Sequence, residues 1–228
     1  MGNILLEGGA EFGGQMSEPD LRAIDLAGGP DAPIAILPTA AAPDNNHERA
    51  GRNGLRWFQS LGASRVDLVP VTDKSSANNS DLAARVHSAK FIYLLGGFPR
   101  HLSETLRNSL VWQAALEAQQ SGAVIGGSSA GAMVLCEYYY DPYKDKLLRG
   151  LNLLTNSCVL PHHNNFGRQW LEKLKGQLPS AILIGIDEQT GMLNIPARGW
   201  TVYGAGQVTI YRNGESPQVH ARGETFPL

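Results

Sequence analysis

Residues 123–135, AVIGGSSAGAMVL, constrain the fold more than any other stretch of the sequence. An apolar run ends at two glycines, two serines follow, and small residues then continue at helical spacing, which predicts a strand, a sharp turn and a helix. Gly127–Gly131 fits G-x-S-x-G, in which the central serine occupies a strained turn between strand and helix. Ordinary turns in glycine-rich chains also contain this pattern. Ser129 is therefore a candidate nucleophile that still needs a base and a group to orient that base.

Two backbone amides are candidates for stabilising an oxyanion beside Ser129. The amide of Ala130 falls at the N-terminus of the predicted helix, where N–H groups are unpaired and the helix dipole favours negative charge. Gly96-Gly97 follows a predicted strand at residues 90–95 and precedes a predicted helix at 102–107. Glycine amides can approach an oxygen closely, although two glycines after a strand often form only a turn.

The distribution of apolar runs predicts an α/β fold. Apolar, non-alternating segments alternate with helical patterns, which favours a mostly parallel sheet with helices on both faces. Ligands of such sheets bind at the carboxyl ends of the strands, so the loops there should converge on Ser129. No linker divides the chain, and we expect one domain over residues 1–228, with 199–228 as its β-rich tail. The predicted strands are 3–7, 32–39, 64–71, 90–95, 157–161 and 181–186, with a tight hairpin at Asn213-Gly214.

Charge and cysteine usage exclude several classes of function. The net charge is −2 and the 19 lysines and arginines are scattered, so neither nucleic acid nor a membrane surface is an expected partner. No apolar run could span a bilayer, and the first residues predict no signal peptide, which indicates a cytoplasmic protein. Cys136 and Cys158 form no C-x-x-C pattern, so we expect buried thiols, no metal and no cofactor.

Histidines and carboxylates near predicted strand ends are candidates for the base and its orienting group. His162 and His163 follow the strand at 157–161, in a polar run typical of a loop exposed to a cleft. Asp187 and Glu188 follow the strand at 181–186, where a carboxylate could hold an imidazole in the required tautomer. Asp141 and Asp145, after the predicted elbow helix, are alternatives.

Three motifs together resemble the dipeptidase E and cyanophycinase family of serine peptidases. They are Gly-Ser-Ser-Ala-Gly-Ala at 127–132, Pro161-His162, and Gly185-Ile-Asp-Glu188, in this order and at these spacings. The resemblance extends from the first strand to about Thr190. It implies a class I glutamine amidotransferase-like, flavodoxin-like fold with a nucleophile elbow. A true glutamine amidotransferase would carry cysteine at position 129.

The resemblance also implies roles for individual residues. Ser129 would be the nucleophile, His162 the general base and then acid, and Glu188 the orienting carboxylate, with His163, Asp141 and Asp145 as alternatives. Gly97 and Ala130 would supply the oxyanion-hole amides. The implied substrate is a short peptide with an aspartyl or β-aspartyl residue, and the implied assembly is a homodimer.

Two departures from the family pattern affect substrate preference. Gly96-Gly97-Phe98-Pro99-Arg100 replaces the usual Gly-Gly-Gly-Asn or Gly-Gly-Asp-Gln, and only Arg168 represents the arginine-rich segment of cyanophycinases. Strict cyanophycin specificity is therefore not expected. Arg100 or Arg168 could pair with a substrate carboxylate. The altered loop also supports an alternative hypothesis, a binding or regulatory protein with weak or lost catalysis.

Overall fold

The strands of the first half of the chain form the parallel sheet that the sequence predicts. In the computed structural model, which describes residues 2–196 and 198–228, these strands lie side by side in the order β1-β5-β4-β2-β3. Met1 and Ala197, which the predicted domain includes, lie outside the described residues. The strands are β1 Asn3–Glu7, β2 Ile34–Leu37, β3 Val66–Leu68, β4 Phe91–Leu94 and β5 Val124–Ser128.

Helices cover both faces of this sheet, as predicted. Successive strand side chains point to opposite faces, so Leu5 of β1 packs into one apolar cluster and Ile4 and Leu6 into the other. The first cluster includes residues of α1 and α2, whereas the second includes residues of α3, α4, α5 and α6. The helices are α1 Ser17–Leu26, α2 His47–Ser60, α3 Ser80–His87, α4 Pro99–Leu106, α5 Leu110–Gln120, α6 Ala130–Leu135 and α7 Leu171–Gln177.

Antiparallel strands extend the sheet beyond β1. The sequence pattern predicts β structure in 199–228, but it predicts neither the strand at 190–195 nor these pairings. β10 (Thr190–Ile195) pairs with β1, β11 (Gly199–Gly204) pairs with β10, and β14 (Thr225–Phe226) lies at the edge. β10 contains one glycine and β11 two, and β14 has only two residues. Their strand structure depends on pairing with a sheet that is already present, because β-propensity depends strongly on context.

A second sheet packs beside the first and was also not predicted. Its order is β13-β12-β9-β8-β6-β7, with β6, β8 and β9 parallel and the other pairs antiparallel. β12 and β13 form an antiparallel hairpin with a turn at Asn213-Gly214, where the Glu215 amide donates to the Arg212 carbonyl at 3.2 Å. Six residues, 212–217, connect the two strands, so the loop is longer than the predicted tight hairpin. The strands are β6 Cys136–Asp141, β7 Lys146–Arg149, β8 Leu154–Leu160, β9 Ile182–Ile186, β12 Val208–Tyr211 and β13 Gln218–His220.

Helix α6 lies between the two sheets and joins their cores. It contacts β1, β4 and β5 of the first sheet and β6 and β8 of the second. One apolar cluster consequently runs from Ile125 of the first sheet to Val159 and Ile184 of the second. Cys136 and Cys158 are buried in this cluster as free thiols, as predicted. Within residues 2–196 and 198–228, no helix combines the length and apolar character needed to cross a bilayer.

Candidate active site

The turn between β5 and α6 presents Ser129 in a strained backbone conformation. Ser129 has φ 49° and ψ −111°, which side-chain-bearing residues rarely adopt. Glycine is required on both sides of it. A Cβ on Gly127 would lie 2.5 Å from the carbonyl carbon of Gly131, and a Cβ on Gly131 would overlap the carbonyl oxygen of Leu94. The predicted strand, sharp turn and helix are therefore confirmed. Both glycines of the motif are needed because a side chain at either position would overlap the neighbouring backbone.

His162 is held over the first-strand loop with one ring nitrogen toward Ser129. Its backbone has φ 50°, and its amide donates a hydrogen bond to the Gly8 carbonyl at 2.7 Å. The ring contacts Gly9, where any side chain would overlap it, and stacks on Phe166 with 4.7 Å between ring centroids. Nε2 of His162 lies 3.0 Å from Oγ of Ser129. Backbone and ring contacts together restrict the imidazole to this orientation.

Glu188 lies behind His162, on the side away from the serine. Its Oε1 is 2.7 Å from Nδ1 of His162. The Glu188 amide donates to Oδ1 of Asn164 at 2.9 Å, and Nδ2 of Asn165 approaches the same carboxylate oxygen at 3.4 Å. A carboxylate that accepts from Nδ1–H leaves the lone pair of Nε2 directed at the serine hydroxyl. This is the tautomer that a general base requires.

The neighbouring residues His163 and Asp187 form a separate pair on the opposite side of the same two loops. His163 Nδ1 is 3.4 Å from Asp187 Oδ1, and Nε2 is 2.9 Å from the Tyr211 hydroxyl. His163 is buried, and its ring packs over Gly185. Within each adjacent pair, His162 and Glu188 belong to the hydrogen-bonded chain that reaches Ser129, whereas His163 and Asp187 contact each other.

The other two candidate carboxylates have different partners. Asp141 is buried and accepts a hydrogen bond from the Tyr143 amide at 3.0 Å. Asp145 accepts from Lys173 and from the Tyr140 hydroxyl, and these hydrogen bonds, Lys173 first, lower its pKa. Among the described residues, neither carboxylate contacts His162.

The two predicted oxyanion donors come from α6 and from the loop after β4. Ala130 is buried at the first position of α6. Gly97 has φ 137°, and a Cβ there would overlap the carbonyl oxygen of Ala40. The preceding residue, Gly96, is so close to the elbow that its Cβ would lie 3.4 Å from Cβ of Ser129. In the part of the chain that the structure describes, neither the Gly97 amide nor the Ala130 amide donates a hydrogen bond.

The two predicted substrate-binding arginines lie in different cavities. Arg100, on α4, donates to Glu104 at 2.8 Å and lines a cavity of about 370 Å³ with Phe98 and Asp141. Arg168 lines a cavity of about 290 Å³ on the His163 side of the loop. Neither cavity is lined by Ser129 or His162, so the structure does not bring the arginines together with the serine.

A group of carboxylates beneath the elbow was not singled out from the sequence. The Glu7 carbonyl accepts from the Ser129 amide at 3.0 Å, while the Glu7 side chain is fully buried and accepts from the Tyr93 hydroxyl. Asp20 is also buried and accepts from Nε1 of Trp57 at 2.7 Å. Burial is the main cause that raises the pKa of Glu7 well above its ordinary value and the pKa of Asp20 to about 7.

Glu11, in the loop after β1, is a second missed residue. Its Oε2 accepts from Oγ of Ser128 at 2.7 Å, one residue before the candidate nucleophile. The sequence did indicate this region, because Gly8-Gly9 follows the first strand at the predicted ligand-binding edge. A single glutamate in a loop carries no periodic signal that would distinguish it from a solvated side chain.

Comparison with known proteins identifies relatives over nearly the whole chain. A sequence model of Peptidase family S51 matches residues 4–196. A cyanophycinase of Synechococcus elongatus is 29% identical over 222 residues, which is 92% of this chain and 67% of that protein. A cyanophycinase of Trichormus variabilis is 26% identical over 219 residues, or 91% of this chain and 72% of that protein.

Two solved structures share the fold. The crystal structure of a peptidase from an acI-B1 Actinobacterium has a TM-score of 0.88 and 29% identity, covering 100% of this chain and 97% of that one. A putative peptidase E protein from Listeria monocytogenes EGD-e has a TM-score of 0.67 and 19% identity, covering 90% of this chain and 100% of that one. These structures support the class I glutamine amidotransferase-like fold. The chain belongs to peptidase family S51 and is a serine-type peptidase.

Proposed function

We propose that this protein hydrolyses short peptides with an aspartyl or β-aspartyl residue, through a Ser129–His162–Glu188 triad and an acyl-enzyme. The observation that carries the proposal is the continuous hydrogen-bonded chain from Ser129 Oγ through His162 to Glu188, at 3.0 and 2.7 Å. A serine hydroxyl becomes nucleophilic when a base accepts its proton and a third group orients the base.

The first half of the reaction forms the acyl-enzyme. Oγ of Ser129 attacks the scissile carbonyl carbon while Nε2 of His162 accepts the hydroxyl proton. Glu188 stabilises the resulting imidazolium. The amides of Gly97 and Ala130 donate to the oxyanion of the tetrahedral intermediate. His162 then transfers its proton to the leaving amine as the carbon–nitrogen bond breaks, which leaves an ester on Ser129.

The second half repeats the same proton transfers with water. His162 accepts a proton from water as the hydroxide attacks the ester carbonyl carbon, and it returns the proton to Oγ of Ser129 when the ester bond breaks. The product acid and free enzyme result.

The aspartyl preference rests on the relationship to cyanophycinases and on the resemblance to dipeptidase E. Of the two arginines, we assign recognition of the substrate carboxylate to Arg100. Phe98, which lines the Arg100 cavity, directly follows Gly97, whereas the Arg168 cavity is lined by His163, whose ring faces Tyr211. The pair that Arg100 forms with Glu104 is exposed and therefore contributes little, so the guanidinium can exchange partners.

The test is hydrolysis of Asp-Xaa, β-Asp-Xaa and neutral dipeptides, and of cyanophycin. The wild type is compared with variants of Ser129, His162 and His163. Ser129→Ala is expected to lower kcat by at least about 10³-fold with unchanged folding. His162→Gln should do the same, whereas the matched variant His163→Gln should retain most activity. Circular dichroism and thermal unfolding check that each variant is folded.

Three results would contradict parts of the proposal. Turnover by Ser129→Ala equal to that of the wild type would remove Ser129 from the mechanism. A folded His163→Gln variant that is as inactive as His162→Gln would overturn the choice of base. Equal rates on aspartyl and neutral dipeptides would leave the peptidase chemistry intact but exclude the aspartyl preference.

A further inference from the structure

The loop that carries Glu11 is held in a costly backbone conformation on both sides of this residue. Ala10 has φ 58° and Phe12 has φ 64°, although neither is glycine. The Phe12 ring packs against Phe58 and Tyr93, with 6.2 and 5.8 Å between ring centroids. Strained conformations of this kind persist where surrounding contacts enforce them, and they concentrate at functional sites. The anchor at Phe12 therefore sets the direction of the Glu11 side chain.

The Glu11 carboxylate is directed at the elbow. Oε2 accepts from Ser128 Oγ at 2.7 Å, and Oε1 lies 3.4 Å from the amide nitrogen of Gly96. A Cβ on Gly96 would be 3.0 Å from Oε1 of Glu11 and 3.4 Å from Cβ of Ser129. Gly96 therefore lies between the Glu11 carboxylate and Ser129 and is in contact distance of both.

Two further carboxyl groups, those of Glu7 and Asp20, are electrostatically linked to Glu11. Burial first, and the charge of Glu11 in addition, raises the pKa of Glu7 and of Asp20. Glu11 and Arg56 line a cavity of about 450 Å³ beside α2. The Arg56 guanidinium donates a hydrogen bond to Asn53 at 2.6 Å. No ion pair joins Arg56 to Glu11 among the residues that the structure describes. A half-buried carboxylate in such a place favours a cation from the substrate.

We propose that Glu11 binds the free α-ammonium group of the residue whose carbonyl carbon Ser129 attacks, which restricts cleavage to the first residue of an unblocked peptide. The inference rests on the proposed function. The α-nitrogen is two bonds from the scissile carbonyl carbon in an α-peptide and three in a β-aspartyl peptide. In either substrate the ammonium group falls beside Ser129, where the Glu11 carboxylate lies.

The test compares an aspartyl peptide with its N-acetyl form and with the succinyl peptide, which lacks only the amine. The wild type should prefer the free amine by about 100-fold in kcat/KM, and Glu11→Gln should lose about 10- to 100-fold on that substrate, mainly through KM. On the N-acetyl and succinyl substrates, kcat/KM of Glu11→Gln should differ from that of the wild type by less than about threefold. Glutamine can still accept from Ser128, so the variant removes charge while keeping that contact. Glu172→Gln, at an exposed position of α7, is the control.

Two results would overturn the proposal for Glu11. One is a wild type that cleaves acetylated and free peptides equally well. The other is a Glu11→Gln variant that loses the same factor on the free and succinyl substrates, because this would indicate a purely structural role. In both cases cleavage itself would leave the proposed peptidase function standing.

A binding measurement separates this proposal from the proposed function if no peptide is cleaved. A fluorophosphonate probe reports whether Ser129 is a reactive nucleophile, independently of Glu11. Calorimetry with Ser129→Ala then measures binding of the free and succinyl peptides. Tighter binding of the free amine, lost in Ser129→Ala/Glu11→Gln, supports the Glu11 site. Equal binding of the two peptides, or no binding of either, rejects it.

Discussion

Gly131 lies in the first turn of α6, where there is no space for a methyl group against Leu94. We expect Gly131→Ala to displace the elbow, to destabilise the protein by about 1–3 kcal/mol and to lower kcat/KM by about 100-fold. Gly176→Ala is the matched control, because that helical glycine has no neighbour within 4 Å and alanine is the better helix former. Urea unfolding and peptide hydrolysis measure both effects. A fully active, fully stable Gly131→Ala variant would show that the elbow adapts.

The adjacent pairs His162-His163 and Asp187-Glu188 show the limit of prediction at single positions. Their location after two strands could be predicted, because a polar run follows each apolar one. Which residue of each pair is directed toward Ser129 depends on the local backbone conformation of the loop, which the sequence pattern does not report. Family resemblance indicated His162 and Glu188, and His162 lies within hydrogen-bond distance of both Ser129 and Glu188. Their roles as base and orienting carboxylate remain part of the proposed function.

Strand β1 and helix α1 bring two carboxyl groups together in the interior. Glu7 of β1 and Asp20 of α1 are both fully buried, and their hydrogen-bond donors are the Tyr93 hydroxyl and Nε1 of Trp57. Among the described residues, Oε1 of Glu7 and Oδ1 of Asp20 accept no hydrogen bond. The folded protein keeps a proton on this pair because burial disfavours the charged forms. In the unfolded chain each group titrates near its ordinary value.

This pair makes stability depend on pH in a defined direction. The Asp20 pKa is raised from 3.8 to about 7 on folding, so the unfolded state loses the proton first as pH rises. The free energy of unfolding should fall from about pH 4 to about pH 7, by up to about 1.4 kcal/mol per pH unit for one proton.

Asp20→Asn should flatten this dependence, because asparagine can still accept from Trp57 but does not titrate. Urea unfolding at pH 5, 6, 7 and 8 would measure it. Asp25→Asn, on an exposed position of the same helix, serves as the control. Identical slopes for the wild type and Asp20→Asn would exclude the carboxyl pair as the cause.

For the molecule as a whole, the shared apolar cluster around α6 predicts cooperative unfolding. Residues of both sheets pack into this cluster, so neither sheet can expose its core without disturbing the other. We expect one urea transition, coincident by far-ultraviolet circular dichroism and by fluorescence of the four tryptophans. These include Trp200 in β11 of the first sheet and Trp170, which packs on Tyr140 of the second. Two separated transitions would contradict the prediction of one domain over residues 1–228.

The organisation of the sheets was only partly predictable. The parallel strands β1, β2 and β4 are recognisable as buried apolar runs, since both of their faces are covered. The strands β6, β7, β10 and β11 carry tyrosines, charges and glycines instead. They become strands through pairing with neighbours that are distant along the chain, which a local pattern does not report.

The sequence by itself determined the strand, turn and helix around Ser129, because glycine spacing and apolar periodicity act over a few residues. It also predicted that His162 and Glu188 follow buried strands, and both lie in loops directly after β8 and β9. Only the tertiary structure decided that Arg100 and Arg168 line separate cavities and that Glu11 lies beside the nucleophile. Those relations join residues far apart in the chain, and their distances follow from how the two sheets and α6 pack.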